Sequence, residues 1–334
     1  MNELNKDIYP ESYDVIAIGE LLIDFMSCGS SAQNNPIFEA SPGGAPGNVL
    51  AMLAKLGRKT AFIGKVGDDM FGRMLIDTLR RVGIAADNVL VDKAAGTTLA
   101  FVHNTPDSDR EFSFFRNPGA DTLLRSQDLN LDQIKACRIL HFGTLSLTHQ
   151  PSRDATITAV TAANDAGASI SFDPNYRPLL WNSSDEAKRQ FAWGMSVCDV
   201  LKIAGDELLF FTGEEDSERG IALLREEYPK IKLILLTKGA DGSEGFWGDI
   251  HVSQPALLSD KTIDTTGAGD TFLGCCLSFV LERGLDAPSP ELLKEMLLFA
   301  SAAASLVTIK KGALLSMPEK AEIDEFLQFQ VPKR

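Results

Sequence analysis

Short apolar runs alternate with longer segments of helical periodicity along most of this 334-residue chain, and this alternation limits the fold more than any other feature. The runs are apolar at successive positions, as strands covered on both faces must be. They are residues 14–19, 60–64, 138–143, 168–173, 199–204 and 232–237. The segments between them repeat apolar residues at i, i+3 and i+4, and they are residues 47–57, 71–83, 152–167 and 218–228. This pattern predicts an α/β fold with a central, mostly parallel sheet flanked by helices.

Two stretches depart from this rhythm and predict a second, smaller sheet. Residues 97–104 and 110–116 alternate apolar and polar side chains, and the turn-rich segment 105–109 joins them. Such a pattern is typical of a hairpin with one solvated face. A further strand-like stretch begins at Leu21 and precedes a Gly/Pro cluster. We therefore expect a single domain over 1–334, with a small β lid formed by approximately 21–42 and 96–118.

The charge balance weighs against nucleic acid as a partner, because 32 basic and 46 acidic residues give a net charge of −14 that repels a phosphate backbone. The first twenty residues lack the apolar core of a signal peptide, and the weakly apolar stretch 297–309 is too short to span a bilayer. Five cysteines form no CxxC pair, and free thiols suit a reducing compartment. We expect a soluble, cytoplasmic protein that binds small molecules and neither nucleic acid nor membrane.

The most informative string is DTTGAGDTFLGCCLSFVLERG, residues 264–284. Its apolar residues fall on one face of a helix that should begin near Asp270. Gly267, Ala268 and Gly269 leave three unobstructed backbone N–H groups before that helix, where amides and the helix dipole bind anionic oxygens. Asp270 can act there as a general base toward a hydroxyl that attacks a phosphoryl group, or it can simply cap the helix. The residues alone leave both roles open.

Two segments together resemble one family of kinases. DTTGAGD (264–270) is similar to the second signature of the ribokinase-like (PfkB) carbohydrate kinases, and PGGAPGNVLAMLAKLG (42–57) is similar to the first. The resemblance covers about residues 14–318. It implies a ribokinase-like fold and transfer of a phosphoryl group from ATP to a sugar hydroxyl. It also implies that Asp270 is the base and that Gly267, Ala268 and Gly269 form the anion hole.

Other classes lack their motifs in this sequence. No GxxxxGK[ST] is present, no GxGxxG follows the first strand, and no GxSxG occurs, which disfavours P-loop enzymes, dehydrogenases and hydrolases. The non-kinase alternative is a catalytically silent sugar-binding protein of the same fold. Such a protein would usually have lost the aspartate or the glycines that are present here.

The sugar side of the site follows from the same resemblance. Asp24 matches a family aspartate that accepts hydrogen bonds from sugar hydroxyls. Asn48 offers both a donor and an acceptor to hydroxyls, while Gly43 and Gly44 allow the backbone to approach the sugar closely.

Two further segments, 110–121 and 172–181, resemble those of fructokinases and favour conversion of D-fructose to fructose 6-phosphate. On the hairpin, the rings of Phe112 and Phe114 can lie over the sugar or fill the core beneath the lid.

Arg116 and Arg177 leave the substrate open, because buried arginines need a planar or anionic partner. That partner can be an internal carboxylate such as Asp121 or Asp173. It can also be the carboxylate of 2-keto-3-deoxygluconate, whose kinases share the fold and carry two arginines at these places, so that kinase is the alternative function.

The nucleotide side is assigned through the resemblance. Thr237, Gly239 and Gly242 belong to a segment that in relatives passes near the ATP phosphates and ribose. Ala303 and Gly312 lie in a stretch that resembles the helix and turn walling the adenine. An ordinary turn and tight helix packing are the alternatives.

Metal sites are also implied by the family. Glu207 matches the glutamate of an N-x-x-E motif that holds Mg²⁺ through water, although Ala204 replaces its asparagine and Asp206 can share the role. Asp264 and the carbonyl of Thr266 match the position of an activating monovalent cation, K⁺. An apolar edge of the lid could pair two subunits as a homodimer.

Overall fold

The computed structural model describes residues 12–104 and 110–330, with backbone alone for residues 103, 104, 110–112 and 330. The expected turn at 105–109, the first eleven residues and the ring of Phe112 therefore lie outside the described part. Thirteen strands are numbered along the described chain: β1 (Val15–Ile18), β2 (Leu22–Ser30), β3 (Pro36–Gly43), β4 (Thr60–Gly67), β5 (Ile84–Asp92), β6 (Leu99–Asn104), β7 (Arg110–Phe115), β8 (Ile139–Gly143), β9 (Ser169–Asp173), β10 (Val200–Ala204), β11 (Leu233–Thr237), β12 (Ser243–Trp247) and β13 (Ile250–Gln254).

Ten α-helices connect or follow these strands in the described residues. They are α1 (Ala45–Lys55), α2 (Met70–Arg81), α3 (Leu131–Lys135), α4 (Ser152–Asp165), α5 (Ser184–Val197), α6 (Gly205–Thr212), α7 (Ser217–Glu227), α8 (Ala268–Arg283), α9 (Pro290–Val307) and α10 (Lys320–Gln330).

The larger sheet has nine strands in the order β13-β12-β11-β10-β9-β8-β1-β4-β5. Its pairs are parallel except β11–β12 and β12–β13, which are antiparallel. Alternate residues of each inner strand enter two different cores. In β1, for example, Val15 and Ala17 pack toward α1, α8 and α9, whereas Ile16 and Ile18 pack toward α4. A strand buried on both faces must be apolar at successive positions, which confirms the predicted mostly parallel sheet with flanking helices.

The strands of the larger sheet that the sequence pattern did not predict are β5 and β13 at its two edges and β12 next to β13. The edge strand β5 mixes buried, half-buried and exposed residues, and β13 alternates half-buried and exposed ones. Edge strands have less apolar surface to bury, so their sequences lack the continuous apolar run that marks a central strand.

The smaller sheet has the order β3-β2-β6-β7. Its β2–β3 and β6–β7 pairs are antiparallel, and β2–β6 is parallel. Because β2 begins only a few residues after β1 ends, this sheet is placed at the carboxyl edge of the larger one. Phe25 of β2 meets Phe71 of α2 edge to face at 5.6 Å between centroids, and Lys311 contacts Glu39 of β3 at 3.7 Å. Within the described residues, no helix combines the length and apolar character needed to cross a membrane.

Candidate active site

A cavity of about 310 Å³ lies between the two sheets, at the carboxyl ends of β1, β9 and β10. This is where an open parallel sheet places its ligands. The small sheet contributes Leu22, Asp24, Met26, Val102 and Phe114 to its lining. The start of α1 contributes Asn48, and the loop into α8 contributes residues 265–267, 269 and 270. Residues far apart in sequence are thus brought to one site.

The loop into α8 is shaped by a glycine and held by a carboxylate. Gly267 has φ 79°, and a Cβ there would overlap the Cβ of Ala313, so a side chain is excluded on two grounds. One oxygen of Asp264 accepts hydrogen bonds from the amide and hydroxyl of Thr266, at 2.9 and 2.7 Å. Its other oxygen accepts from the amide of Gly312 at 3.0 Å. The loop is therefore fixed with the positive end of α8 directed at the cavity.

Asp270 lies in the first turn of α8 and lines the cavity. Burial and the nearby charge of Asp173 raise its pKa to about 6, while a hydrogen bond from Asn48 opposes the shift. The Nδ2 atom of Asn48 donates to Oδ2 of Asp270 at 2.7 Å, and Asn48 Oδ1 has no hydrogen-bond partner in the described chain. A buried carboxylate with a pKa close to neutrality is suited to accept a proton from a bound hydroxyl.

Two further carboxylates, Asp24 and Glu20, line the end of the cavity nearest the small sheet. Burial raises the pKa of Asp24 to about 7, although Arg177 opposes this shift. Burial also raises the pKa of Glu20 to about 7, and its Oε1 accepts a hydrogen bond from the amide of Ala45 at 3.0 Å. Glu20 lines the cavity but was not predicted; its position directly after β1 was the only available signal.

The two glycines of the first signature lie where other atoms of the chain approach the backbone too closely to leave room for a side chain. Gly44 has φ 123°, and a Cβ there would lie 2.5 Å from the carbonyl oxygen of Glu20. A Cβ at Gly43 would overlap the carboxylate of Asp24. Gly44 lines the cavity, whereas Gly43 lies behind Asp24. Both positions require glycine because main chain and a carboxylate approach so closely.

The two arginines are placed differently. The side chains of Arg116 and Asp121 are only 3 % and 2 % exposed, and the ion pair between them is 2.6 Å long. Arg116 also donates to Thr148 Oγ1 at 2.8 Å and to the carbonyl of Leu145 at 2.9 Å. The structure thus places Arg116 away from the cavity lining, in the internal salt bridge that was its alternative. Arg177 does line the cavity, and its guanidinium donates to the carbonyl of Tyr176 at 3.0 Å.

Asp173, the carboxylate considered as an internal partner for Arg177, contacts Lys202 instead, at 3.2 Å. Lys202 lines the cavity from the middle of β10 and was not among the predicted site residues. Its signal in the sequence was a lysine inside an otherwise apolar strand, VLKIA.

The model of the pfkB family of carbohydrate kinases matches residues 13–320. This chain belongs to that family.

Other proteins are similar to this one over nearly the whole chain. The probable fructokinase-2 of Arabidopsis thaliana is 40 % identical over 321 residues, which are 95 % of this chain and 96 % of that protein. A fructokinase structure from Xylella fastidiosa with bound ATP has a TM-score of 0.83 and 29 % identity, over 95 % of this chain and 99 % of that one. A double mutant of the Vibrio cholerae O395 fructokinase with fructose, ADP and potassium ion bound has a TM-score of 0.83 and 28 % identity, over 96 % of this chain and 100 % of that one.

Glu207, the residue expected at the magnesium site, is buried at the start of α6. Its two oxygens accept the backbone amides of Tyr176 and Ala204, at 2.7 and 2.8 Å, and burial raises its pKa. Ala204, which was expected to replace an asparagine, thus contacts Glu207 through its backbone amide. Asp206 and Glu207 both line the cavity, but the described residues contain no group of three or more His, Cys, Asp or Glu arranged to hold a metal ion.

The five residues expected on the nucleotide side of this pfkB kinase lie outside the cavity lining. Thr237 ends β11, with Gly239 and Gly242 in the turn that follows. A Cβ at Gly242 would lie 2.8 Å from the amide of Ala256, so this glycine also serves chain packing. Ala303 is fully buried in the core, so it can support a wall of the adenine site only from behind.

Proposed function

We propose that this chain is an ATP-dependent fructokinase, which transfers the γ-phosphoryl group of ATP to the 6-hydroxyl of D-fructose. The observation that carries the proposal is the position of Asp270, a buried carboxylate at the N-terminus of α8 inside the cavity. The 40 % identity to a probable fructokinase over 95 % of the chain supports fructose as the sugar.

The proposed reaction needs little covalent chemistry from the protein. Asp270 removes the proton from the attacking hydroxyl as the new O–P bond forms and the bond to the leaving ADP breaks. The amides of Gly267, Ala268 and Gly269 stabilise the charge on the phosphoryl oxygens, assisted by the dipole of α8. Asn48 orients the Asp270 carboxylate through the 2.7 Å hydrogen bond.

The sugar is proposed to lie between Asp24, Gly44, Asn48 and the lid, with Phe114 against it. The electrostatics of this end favour an uncharged sugar over 2-keto-3-deoxygluconate. Arg116 is neutralised by Asp121, so Arg177 alone is left to meet a substrate carboxylate, and Glu20 and Asp24 lie on the same side. An anionic substrate would meet like charges there whenever these two groups are ionised.

ATP is proposed to extend from the anion hole toward Thr237, Gly239, Gly242 and Gly312. Magnesium would arrive with the nucleotide and be held through water by Glu207, with Asp206 beside it; carboxylates with retained waters are the usual protein environment of Mg²⁺. Asp264 and the Thr266 carbonyl remain the proposed position for K⁺, which is bound in the Vibrio cholerae fructokinase.

Two features complete the proposal: a homodimer through the lid, and a cytoplasmic location suggested by the cysteine usage.

The test is ADP release from MgATP by the purified protein with D-fructose, 2-keto-3-deoxygluconate, ribose or adenosine as acceptor. We expect kcat/KM to be highest for D-fructose and the product to carry phosphate on carbon 6. A preference for 2-keto-3-deoxygluconate would keep the kinase chemistry and overturn the substrate. Sugar binding without ADP release from any acceptor would instead support the silent sugar-binding protein.

A further inference from the structure

Lys202 is a buried cation in a position that normally holds an apolar residue. It is the third residue of β10, whose neighbours Leu201 and Ile203 are fully buried, and its own side chain is 9 % exposed. Central strands of a parallel sheet are apolar because helices cover both faces, and a lysine is rarely buried there unless it is paired. The charge therefore needs an explanation from its surroundings.

The ammonium of Lys202 lies beside the first turn of α8. A Cβ built on Gly269 would lie 3.3 Å from its Nζ atom, so the absence of a side chain at Gly269 makes room for the lysine. The N-terminus of a helix carries a partial positive charge, which makes a cation at this point unfavourable. The carboxylates of Asp173, Glu207 and Asp270 offset this effect and raise the pKa of Lys202. An anionic group bound between the ammonium and the helix amides would be attracted by both.

Within the described chain, only Asp173 among these carboxylates is hydrogen-bonded to the ammonium. Asp173 Oδ1 accepts a hydrogen bond from Lys202 Nζ at 3.2 Å, and the same oxygen accepts the amide of Asn175 at 3.2 Å. A lysine ammonium has three N–H donors, and the hydrogen bonds of the described chain use one of them. Since Lys202 also lines the cavity, its remaining donors are available to a ligand there.

The sheet order places Lys202 at the phosphate end of the cavity. β10 is three strands away from β1, which leads into Glu20 and Asp24. With neighbouring strands about 4.8 Å apart, that separation is roughly 14 Å. The charge of Asp270 acts on both Asp24 and Lys202, so this carboxylate is within reach of both ends of the cavity.

We propose that Lys202 donates a hydrogen bond to a non-bridging oxygen of the γ-phosphoryl group and holds it during transfer. Asp173 is then a positioning residue, which keeps the ammonium beneath Gly269. The inference rests on the proposed kinase function. Lys202 stays protonated throughout: the sugar oxygen bonds to phosphorus, the bond to the ADP oxygen breaks, and the released proton goes to Asp270.

Lys202→Met tests the proposal by two readouts. We expect kcat with fructose to fall about 10²–10³-fold, the range found when a donor to a developing oxyanion is removed, while the KM for fructose changes less than about threefold. Isothermal titration calorimetry should give an MgATP dissociation constant raised about tenfold and an MgADP constant within about twofold, because only ATP carries the contacted group. This binding readout does not depend on turnover.

Lys65→Met is the matched control. Lys65 is also mostly buried and paired with carboxylates, at 3.3 Å from Asp128 and 3.6 Å from Asp92, but it does not line the cavity. We expect a lowered melting temperature with kcat and nucleotide binding within about twofold of wild type. In a double-mutant cycle measured at about pH 8, where Asp270 is ionised whether or not Asp173 is charged, Asp173→Asn should add little to the kcat loss of Lys202→Met, since both act through one contact.

The outcomes separate the inference from the proposed function. If the wild-type protein phosphorylates no sugar, the proposed function is wrong. If Lys202→Met nevertheless weakens ATP binding, the contact between Lys202 and the phosphate is still supported. A folded variant with unchanged kcat and unchanged ATP affinity, or with a loss confined to the KM for fructose, would overturn the inference. If Lys202→Met does not fold, Lys202→Gln, which can still donate to Asp173, is judged by the same criteria.

Discussion

Asp270 illustrates how much of this site depends on the surroundings of single residues. An aspartate next to a helix N-terminus is ordinarily well ionised, yet burial raises the pKa of Asp270 to about 6. The same group would be a simple helix cap on an exposed helix. Here it faces a cavity, and its neighbour Asn48 comes from a helix 222 positions away in sequence.

The rate should rise with pH through the pKa of Asp270, because only the ionised carboxylate can accept the hydroxyl proton. We expect kcat/KM for fructose to fall on the acid side of about pH 6. Asp270→Asn should lower kcat by about 10³-fold or more, with fructose binding retained. Because the folded-state pKa lies above the ordinary value of 3.8, Asp270 makes wild type lose stability as pH rises between those values. The Asn variant should lose less, since only the raised pKa values of groups such as Glu20 and Asp24 still contribute. A flat rate profile across pH 6 would contradict the base assignment.

Removal of Arg116 and removal of Arg177 should lower the free energy of unfolding by different amounts. Arg116→Ala leaves Asp121 buried and unpaired, so the free energy of unfolding should fall by about 3–5 kcal/mol in urea titrations. Arg177→Ala should change stability by less than about 1 kcal/mol, because its side chain faces the cavity. Its kinetic defect should differ between fructose and the other acceptors. Equal stability losses in the two variants would show that Arg177 is also structural.

At the scale of elements, α8 carries the anion hole because its first turn is pinned from several directions. Asp264 holds the preceding loop to Gly312, and Ala313 packs directly against Gly267. The 16-residue helix then packs a continuous apolar surface against α1 and α9. Its N-terminus is therefore rigid before any ligand binds, which is what electrostatic stabilisation of a transferring group requires.

Gly267→Ala should misplace this turn. The new methyl group would overlap Ala313 and force a positive φ on alanine, so we expect kcat to fall at least 10²-fold. Gly284→Ala is the control at the C-cap of the same helix, because Gly284 also has a positive φ, of 74°, but no described atom outside the local chain lies within 4 Å of a Cβ there. That variant should lose about 1 kcal/mol of stability and keep its kcat. A comparable loss of kcat in both variants would exclude a specific role for the anion-hole turn.

At the scale of the whole molecule, the small sheet has two different faces. Asp24, Met26, Val102 and Phe114 line the cavity. Alternation along the strands then places Phe25, Phe38, Phe101 and Phe115 on the opposite face, where Phe101 lies 4.6 to 5.4 Å from the other three rings between centroids. Phe115 is 64 % exposed, and exposed clusters of aromatic rings commonly mark interaction sites.

Phe115→Glu should therefore weaken the proposed homodimer. We expect sedimentation velocity to give about twice the chain mass for wild type and the mass of a single chain for the variant, since a charge would be buried unpaired in the interface. Leu223→Glu on α7 is the control, because Leu223 is 43 % exposed but distant from the lid. A monomeric wild type across micromolar concentrations would contradict the homodimer.

The sequence by itself determined the fold class and the family, and it marked Asp270 as a candidate site residue. Apolar runs and helical periods follow local rules, because a strand covered on both faces must be apolar throughout. Glycines at Gly44 and Gly267 likewise mark backbone conformations that other residues avoid. These features can be read without knowing which segments meet.

Only the tertiary structure decided which charges pair. Arg116 forms an ion pair with Asp121, and Lys202 forms one with Asp173. Asn48 donates a hydrogen bond to Asp270. The pKa values of Glu20, Asp24 and Asp270 depend on burial that the chain acquires only after folding. Periodicity records whether a residue is buried or exposed, whereas Coulomb and desolvation energies depend on distances between groups that are remote in sequence.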